Sequence, residues 1–464
     1  MSRPSVRDMT EGSIFRHLIV FSIPLLLGNM LQQLYNMVDS WTVGNFVGDT
    51  ALTAVGAGFS VMNLFISLFT GMSTGATVVV SQYFGARQME RVQAVVDTVY
   101  RALLLGAIPV TAVAFFGTDW LLSVLHVDPI AVPEARSYIR IVSLGLISTI
   151  GYNINAGILR GLGNSRASLL FLGISSAINI VMDLLLVAVL HWGVAGAAIA
   201  TDLAQTVSWI FGICYINKNY GGLRIRLRGA GFESGLLRSV MGIGLPAGLQ
   251  IATVSLGGMA VMAKVNTYGN SYSAGYSVGL KIDNLVFLPV QALSTAATAI
   301  VGQNVGAGRE DRVYQTAKCV VASCMAWCVA GIVLLYPIRG WLVGLFTNTP
   351  ETIACGARFV QCVLPGYFLL SITFSLNSIM RGAGESFVPM VVAVIGQIFV
   401  RVPAVYLLAH FFGPDNMYFG FAVGWLVGAV LAVLYFSSGR WKRRYFPVKG
   451  NRPPEKGKSS EIGE

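Results

Sequence analysis

Charge is scarce in this sequence. Only 11% of its 464 residues are Asp, Glu, Lys or Arg, against 55% that are hydrophobic, whereas soluble domains run near a quarter charged. A chain of that composition cannot cover itself in water, which excludes an ordinary soluble enzyme or binding domain. Histidine is scarcer still: His17, His126, His191 and His410 are scattered along the chain. They form no His/Asp cluster of the kind an integral-membrane prenyl- or phosphotransferase needs. The glycine-rich turns at 161–163 and 382–384 lack the Gly-Lys-Ser/Thr of a phosphate loop, and Arg160 and Arg381 beside them are expected to anchor the inner face. Cysteine numbers six. Cys324 and Cys328 share a helix face, but no further ligand completes a metal set, so buried free thiols are expected and no metal site. The start is polar and basic and the first apolar segment too long for a leader, so no cleavable signal is expected.

What the chain has in abundance is long apolar runs, with a mean hydropathy of +0.67. They recur at about twenty residues, the length that crosses about 30 Å of hydrocarbon. Being continuous rather than alternating, they exclude a β-barrel. Twelve helical spans are expected, at 14–36, 53–79, 92–116, 135–159, 168–190, 194–217, 236–262, 272–300, 313–337, 355–379, 387–411 and 418–438. With the N-terminus inside, the inner segments receive 25 of the 32 Lys and Arg residues, and the outer ones keep only Arg136, Arg140, Arg339 and Arg358. The positive-inside rule therefore puts both termini in the cytoplasm. The net charge of +11 then reflects orientation and anionic lipid, not nucleic acid.

The chain also repeats itself. SQYFGARQMERV (81–92) lies over GQNVGAGREDRV (302–313) at a shift of 221, matching Gln82/Gln303, Gly85/Gly306, Ala86/Ala307, Arg91/Arg312 and Val92/Val313. ILRGLGNS (158–165) lies over IMRGAGES (379–386) at the same shift, and Pro24 meets Pro246 after a one-residue slip. Two halves of six spans share one orientation and relate by an axis along the membrane normal. The expected fold is all-α and polytopic: an N-terminal six-helix lobe (1–217), an inter-lobe loop (218–238), a C-terminal six-helix lobe (239–440) and a basic tail (441–464). Two parallel bundles point to a secondary transporter with its substrate path between them.

Chemistry sits where charge enters the apolar runs. An ionised carboxylate at bilayer depth costs about 2.5–3.5 kcal/mol on insertion scales, so intramembrane acids mark pathways. Asp39 lies late in the first span, after Pro24. Asp183 lies in the fifth, with Asn179 one turn earlier on the same face. Thr201 of the sixth span and Asn153 and Asn155 of the fourth add hard oxygens, which suit an exchangeable proton or Na+. The competing reading of this set is a static polar network holding helices together. Asp202, Lys264, Lys281, Asp283 and Arg401 are further possible cleft charges, with Lys264 also placed to snorkel outward. Pro24 lacks an amide donor and is expected to loosen the first helix.

Taken together, NMVDSWTVGNFVGDTALTAVG after a Pro-containing first helix, VSQYFGARQMERV with VGQNVGAGREDRV, ILRGLGNSRAS with IMRGAGESFVP, AINIVMDLLLV and WGVAGAAIAT resemble the multidrug and toxic compound extrusion (MATE) transporters. The resemblance covers about Ile14 to Arg440. It implies two six-helix lobes in a V, in the bacterial cytoplasmic membrane, exporting organic, often cationic, compounds in exchange for H+ or Na+ and needing no other cofactor. In members of the DNA-damage-inducible F kind the cation site lies in the first lobe. Asp39 matches its first-helix acid, Asn179 and Asp183 its fifth-helix Asn-x-x-x-Asp, and Thr201 its sixth-helix threonine; the fourth-helix asparagine matches Asn155 or Asn153. The NorM kind places acids in helices seven and ten, where this chain offers Gln250 and Lys264 and no acid at all. Tyr35, Phe59, Phe287 and Tyr367 would line a path for greasy substrates, and a monomer is expected. The alternative within the wider superfamily is a lipid-linked oligosaccharide flippase, for which the two acids are ill suited.

Overall fold

The computed structural model describes residues 7–124, 129–226 and 231–444, with the backbone alone at 49, at several positions between 52 and 64, and at 124, 443 and 444. His126, the Phe59 side chain and the tail beyond 444 lie outside the described residues. Regular structure among the described residues is helical throughout. The spans are α1 (Ile14–Phe46), α2 (Asp49–Gly85), α3 (Met89–Phe116), α4 (Val132–Leu144 with Leu146–Gly161), α5 (Ser165–Val189), α6 (Gly193–Asn219), α7 (Ser234–Asn266), α8 (Asn270–Gly306), α9 (Glu310–Leu335), α10 (Pro350–Gly382), α11 (Phe387–Phe412) and α12 (Phe419–Ser437). Among the described residues, ten of them are apolar and long enough to cross a bilayer, and α4, taken across its bend, makes an eleventh. The remaining one, α2, runs 37 residues, about 55 Å at the helical rise.

Each expected span corresponds to one of these helices. All but α12 are longer than expected, because backbone hydrogen bonding carries a helix past the hydrocarbon into its polar ends. α4 departs most from expectation. It bends by 50° where Leu144 gives way to Leu146. Gly145 sits at the break with the Asp202 carboxylate of α6 packed directly against it, in the space that any side chain there would occupy.

Two apolar cores define two lobes. One contains Val96, Tyr100, Ile139, Ile154, Phe171 and Val187 of α3–α5. The other contains Tyr276, Ile300, Val320, Phe359, Tyr367 and Trp425 of α8–α10 and α12. α1 and α7 belong to neither alone. Leu18 and Phe21, near the start of α1, are buried in the second core, whereas Gly28 abuts Leu172 of α5 and Val43 joins the first core. α7 does the reverse, with Leu236, Val240 and Ile243 in the first core and Val261 and Val265 in the second. Pro24 and Pro246 lie at these two crossovers, inside helices that continue through them.

Glycine builds the seam between the lobes. Gly71 and Gly75 of α2 face Gly244 and Gly248 of α7, two small-xxx-small stripes that bring the backbones into contact. A Cβ on Gly244 would lie 2.8 Å from Met72 Cα, and one on Gly248 2.8 Å from Leu68 Cα. Nearby, Asn29 Nδ2 of α1 donates to Gln291 Oε1 of α8 at 3.4 Å. The hydrogen bonds that join the lobes otherwise gather at the end where α1 starts and α12 finishes, the terminal face.

Candidate functional site

The two acids meet in the first lobe. Asp39 of α1 lies close enough to Asp183 of α5 for its charge to act there, and both act on the hydroxyls of Tyr35 and Tyr138. Asp183 is fully buried and Asn179 nearly so. Among the described residues, no hydrogen-bonding group of the protein reaches either oxygen of Asp183, one of Asp39, or Oδ1 of Asn179. Buried carboxylate oxygens in that condition are costly. Asn179 Nδ2 donates to Thr201 Oγ1 at 3.4 Å, tying α5 to α6. A narrow pocket lined by Tyr35, Ser175, Ser176, Asn179, Thr201 and Gln205 sits one helical turn away, since Tyr35 and Asn179 each precede an acid by four residues.

Local structure aims Asp183. Directly after it, Leu184–Val189 forms a π-helical turn, a distortion common at functional sites. The second lobe has a π-helical turn too, at Ile395–Val400 of α11, but it is not the repeat partner of the first, and Arg401 follows it. Ser175, Ser176, Gln205 and Tyr138 escaped sequence reading. Ser176 and Gln205 carried a usable signal, lying three residues before Asn179 and four after Thr201, on the same helix faces.

The fourth-span asparagines do not line that pocket. Asn155 Nδ2 donates to the Trp209 carbonyl at 3.1 Å, and its Oδ1 accepts from the Tyr100 hydroxyl, so it ties α3, α4 and α6. Asn153 Nδ2 donates to Thr149 O of its own helix at 2.8 Å. Asn155→Leu is therefore expected to cost about 2 kcal/mol of stability by stranding two buried partners. Melting of the purified protein reads that loss, and efflux per folded molecule is expected to stay at the parental level.

The remaining charges are held locally. Asp202 packs on Gly145 at the α4 bend. Lys264 Nζ sits 5.0 Å from the Tyr268 ring and 5.3 Å from that of Tyr406, and Lys281 Nζ 5.4 Å from Phe346, both in cation–π range. Asp283 accepts from the buried Tyr367 hydroxyl. Arg401 lies over the Phe421 ring at 4.6 Å, with Nε and Nη2 unpartnered by protein. Phe287 packs edge-on against Phe374 at 4.8 Å. Arg160 and Arg381 differ from expectation: they turn into the bundle, Arg160 Nη2 to Ser73 Oγ at 3.1 Å and Arg381 Nη2 to Gln250 Oε1 at 2.5 Å. Both close helices that run toward the terminal face, and helical side chains lean toward their own N-terminus, here the bundle interior. All six cysteines are free, and Cys324, Cys328, Cys355 and Cys362 are buried while Cys214 is exposed.

This architecture, two repeated helical lobes with a buried and a half-buried acid in one, defines a class of membrane protein built around a seam between bundles. The chain belongs to the MatE family, whose model matches residues 24–185 and 246–407, two stretches that begin and end 222 residues apart. It is a membrane transporter, not an enzyme. It is 30% identical over 436 residues to the probable multidrug resistance protein YpnP of Bacillus subtilis (strain 168), covering 94% of this chain and 97% of that one. It is 22% identical to the multidrug export protein MepA of Staphylococcus haemolyticus (strain JCSC1435), covering 93% and 95%. Among solved structures it resembles the outward-facing conformation of a multidrug resistance MATE family transporter, with a TM-score of 0.88, 22% identity, and 97% and 100% of the two chains covered.

Proposed function

We propose that this chain is a secondary antiporter that exports amphipathic, cationic organic compounds in exchange for H+ or Na+ by alternating access. The observation that carries this reading is the Asp39–Asp183 pair, two carboxylates from different helices with oxygens that no group among the described residues satisfies. A bound proton or Na+ cancels one of the pair's two charges at a depth where bare charge is expensive. Asn179 and Thr201 supply neighbouring oxygens of the hard kind. The names of the curated relatives support multidrug export as the substrate range. The excess of Lys and Arg supports a cytoplasmic terminal face, and the division into lobes at 1–217 and 239–440, the linker 218–238, the tail 441–464 and a monomeric transporter belong to the same proposal.

In this cycle the outward-facing protein takes up the cation at Asp39 and Asp183. α1, which spans both lobes, shifts about Pro24, and the bound compound leaves the cleft. One H+ or Na+ exchanged for one monovalent organic cation moves no net charge, so the drive is the cation's own concentration gradient, about 1.4 kcal/mol per tenfold. The test is counterflow of ethidium in proteoliposomes under an imposed pH or Na+ gradient. Efflux is expected to follow one of the two gradients in the parent, and to be indifferent to both in Asp39→Asn and Asp183→Asn. Gradient-driven efflux that persists in both variants would exclude these acids as the coupling site. A flippase for lipid-linked sugars would not export ethidium under either gradient.

A further inference from the structure

We propose that the terminal face is shut by a two-fold latch, in which Gln82 and Gln303 each reach across the seam to a glycine carbonyl of the opposite lobe, and that releasing these two bonds lets the molecule open toward that face. Gln82 Nε2 of α2 donates to Gly382 O of α10 at 3.1 Å. Gln303 Nε2 of α8 donates to Gly161 O of α4, also at 3.1 Å. Both donors and both acceptors are repeat partners at the shift of 221, so the internal symmetry of the chain has produced one contact twice, between lobes. Both glutamines are buried, Gln303 fully.

The surroundings are built for close approach. A Cβ on Gly85 would lie 2.8 Å from Gln303 Cα, one on Gly306 3.0 Å from Ala86 N, and one on Gly302 3.0 Å from Ser81 Cβ. The acceptors favour reversibility. Gly161 and Gly382 end their helices, where a carbonyl has no partner within the helix, and water can take over the bond when the lobes part. Each bond then contributes little net stability, as a switch requires, whereas an apolar plug of similar area would hold the face closed.

The two halves of the latch differ in one respect. Gln303 Oε1 also accepts from Met9 N at 2.9 Å. Met9 O accepts from Asn304 Nδ2 at 3.3 Å and from Arg312 Nη2 at 3.2 Å. The chain leading into α1 is thus strapped to the second lobe, and Gln303 holds both the strap and the first lobe. Losing Gln303 removes two bonds and losing Gln82 removes one.

The latch rests on the alternating-access reading, and its test is separate from that of the acids. Spin labels are placed on the full-length protein in nanodiscs at the repeat partners Glu90→Cys and Asp311→Cys on the terminal face, and at Asn45→Cys and Asn266→Cys on the other. Cys214 and Cys319, the two that are not buried, are replaced by Ser. Gln82→Met and Gln303→Met, which keep the volume and remove the donor, are each expected to raise the open-to-closed ratio of the terminal face about fivefold, since each removes one bond across the seam, and Gln303→Met also frees the strap at Met9. The opposite face is expected to narrow in step. Unchanged distances in both variants, or broadening at both faces together, would overturn the proposal. If the latch opens as expected while Asp39→Asn and Asp183→Asn leave efflux intact, the latch stands and the coupling site falls.

Discussion

Asp183→Asn is expected to reduce gradient-driven efflux by at least about tenfold while leaving the purified protein as heat-stable as its parent or more so. The two halves of this result have one cause. Asp183 is fully buried and no hydrogen-bonding group among the described residues reaches its oxygens, so its charge contributes nothing to holding the fold. Asn has almost the same shape and no charge to desolvate, and replacing an unpaired buried charge by a neutral isostere is neutral or stabilising. The group lost is the one that can exchange a cation. Melting curves in detergent and efflux from proteoliposomes read the two halves separately. A large drop in melting temperature would mean that Asp183 is structural, part of a network holding α5 in place.

The second large effect concerns the seam. Gly244→Leu is expected to destabilise the protein by about 3 kcal/mol, because overpacking a contact between backbones forces whole helices apart. The first added carbon alone would lie 2.8 Å from Met72 Cα and 2.9 Å from Gly71 O, atoms that cannot rotate out of the way. The control is on the same helix. Gly258→Leu adds its side chain where nothing lies within 4 Å, and is expected to change stability by no more than about 0.5 kcal/mol. Equal behaviour of the two variants in thermal melting would show that the α2–α7 stripes do not hold the lobes together.

Much of this architecture was legible in advance, because the signals were local. Apolar length located the spans, the repeat at 221 paired the halves, and Asp39, Asn179 and Asp183 stood out as polar groups where hydrocarbon should be. What stayed hidden depends on which helix meets which. Hydropathy measures how apolar a stretch is and not what it touches, so it could not show α1 and α7 passing between lobes at Pro24 and Pro246. The bend at Gly145 depends on Asp202, 57 residues later in the chain. Asn153 and Asn155 are equivalent by type and depth, and only the neighbours Tyr100 and Trp209 give Asn155 its structural task. The π-helical turns at 184–189 and 395–400 contain no proline to announce them. The stripes Gly71-x-x-x-Gly75 and Gly244-x-x-x-Gly248 were readable as a helix-packing motif, but not as partners of each other.

The central claim is that the Asp39–Asp183 pair holds the cation that substrate displaces. It is tested most directly by adding ethidium to concentrated, purified protein in weakly buffered detergent solution while pH and Na+ electrodes record what is released. Because coupling between two ligands is reciprocal, the account expects roughly one H+ or one Na+ to leave per ethidium bound by the parent, and none from Asp39→Asn or Asp183→Asn. Undiminished release from both variants would contradict it.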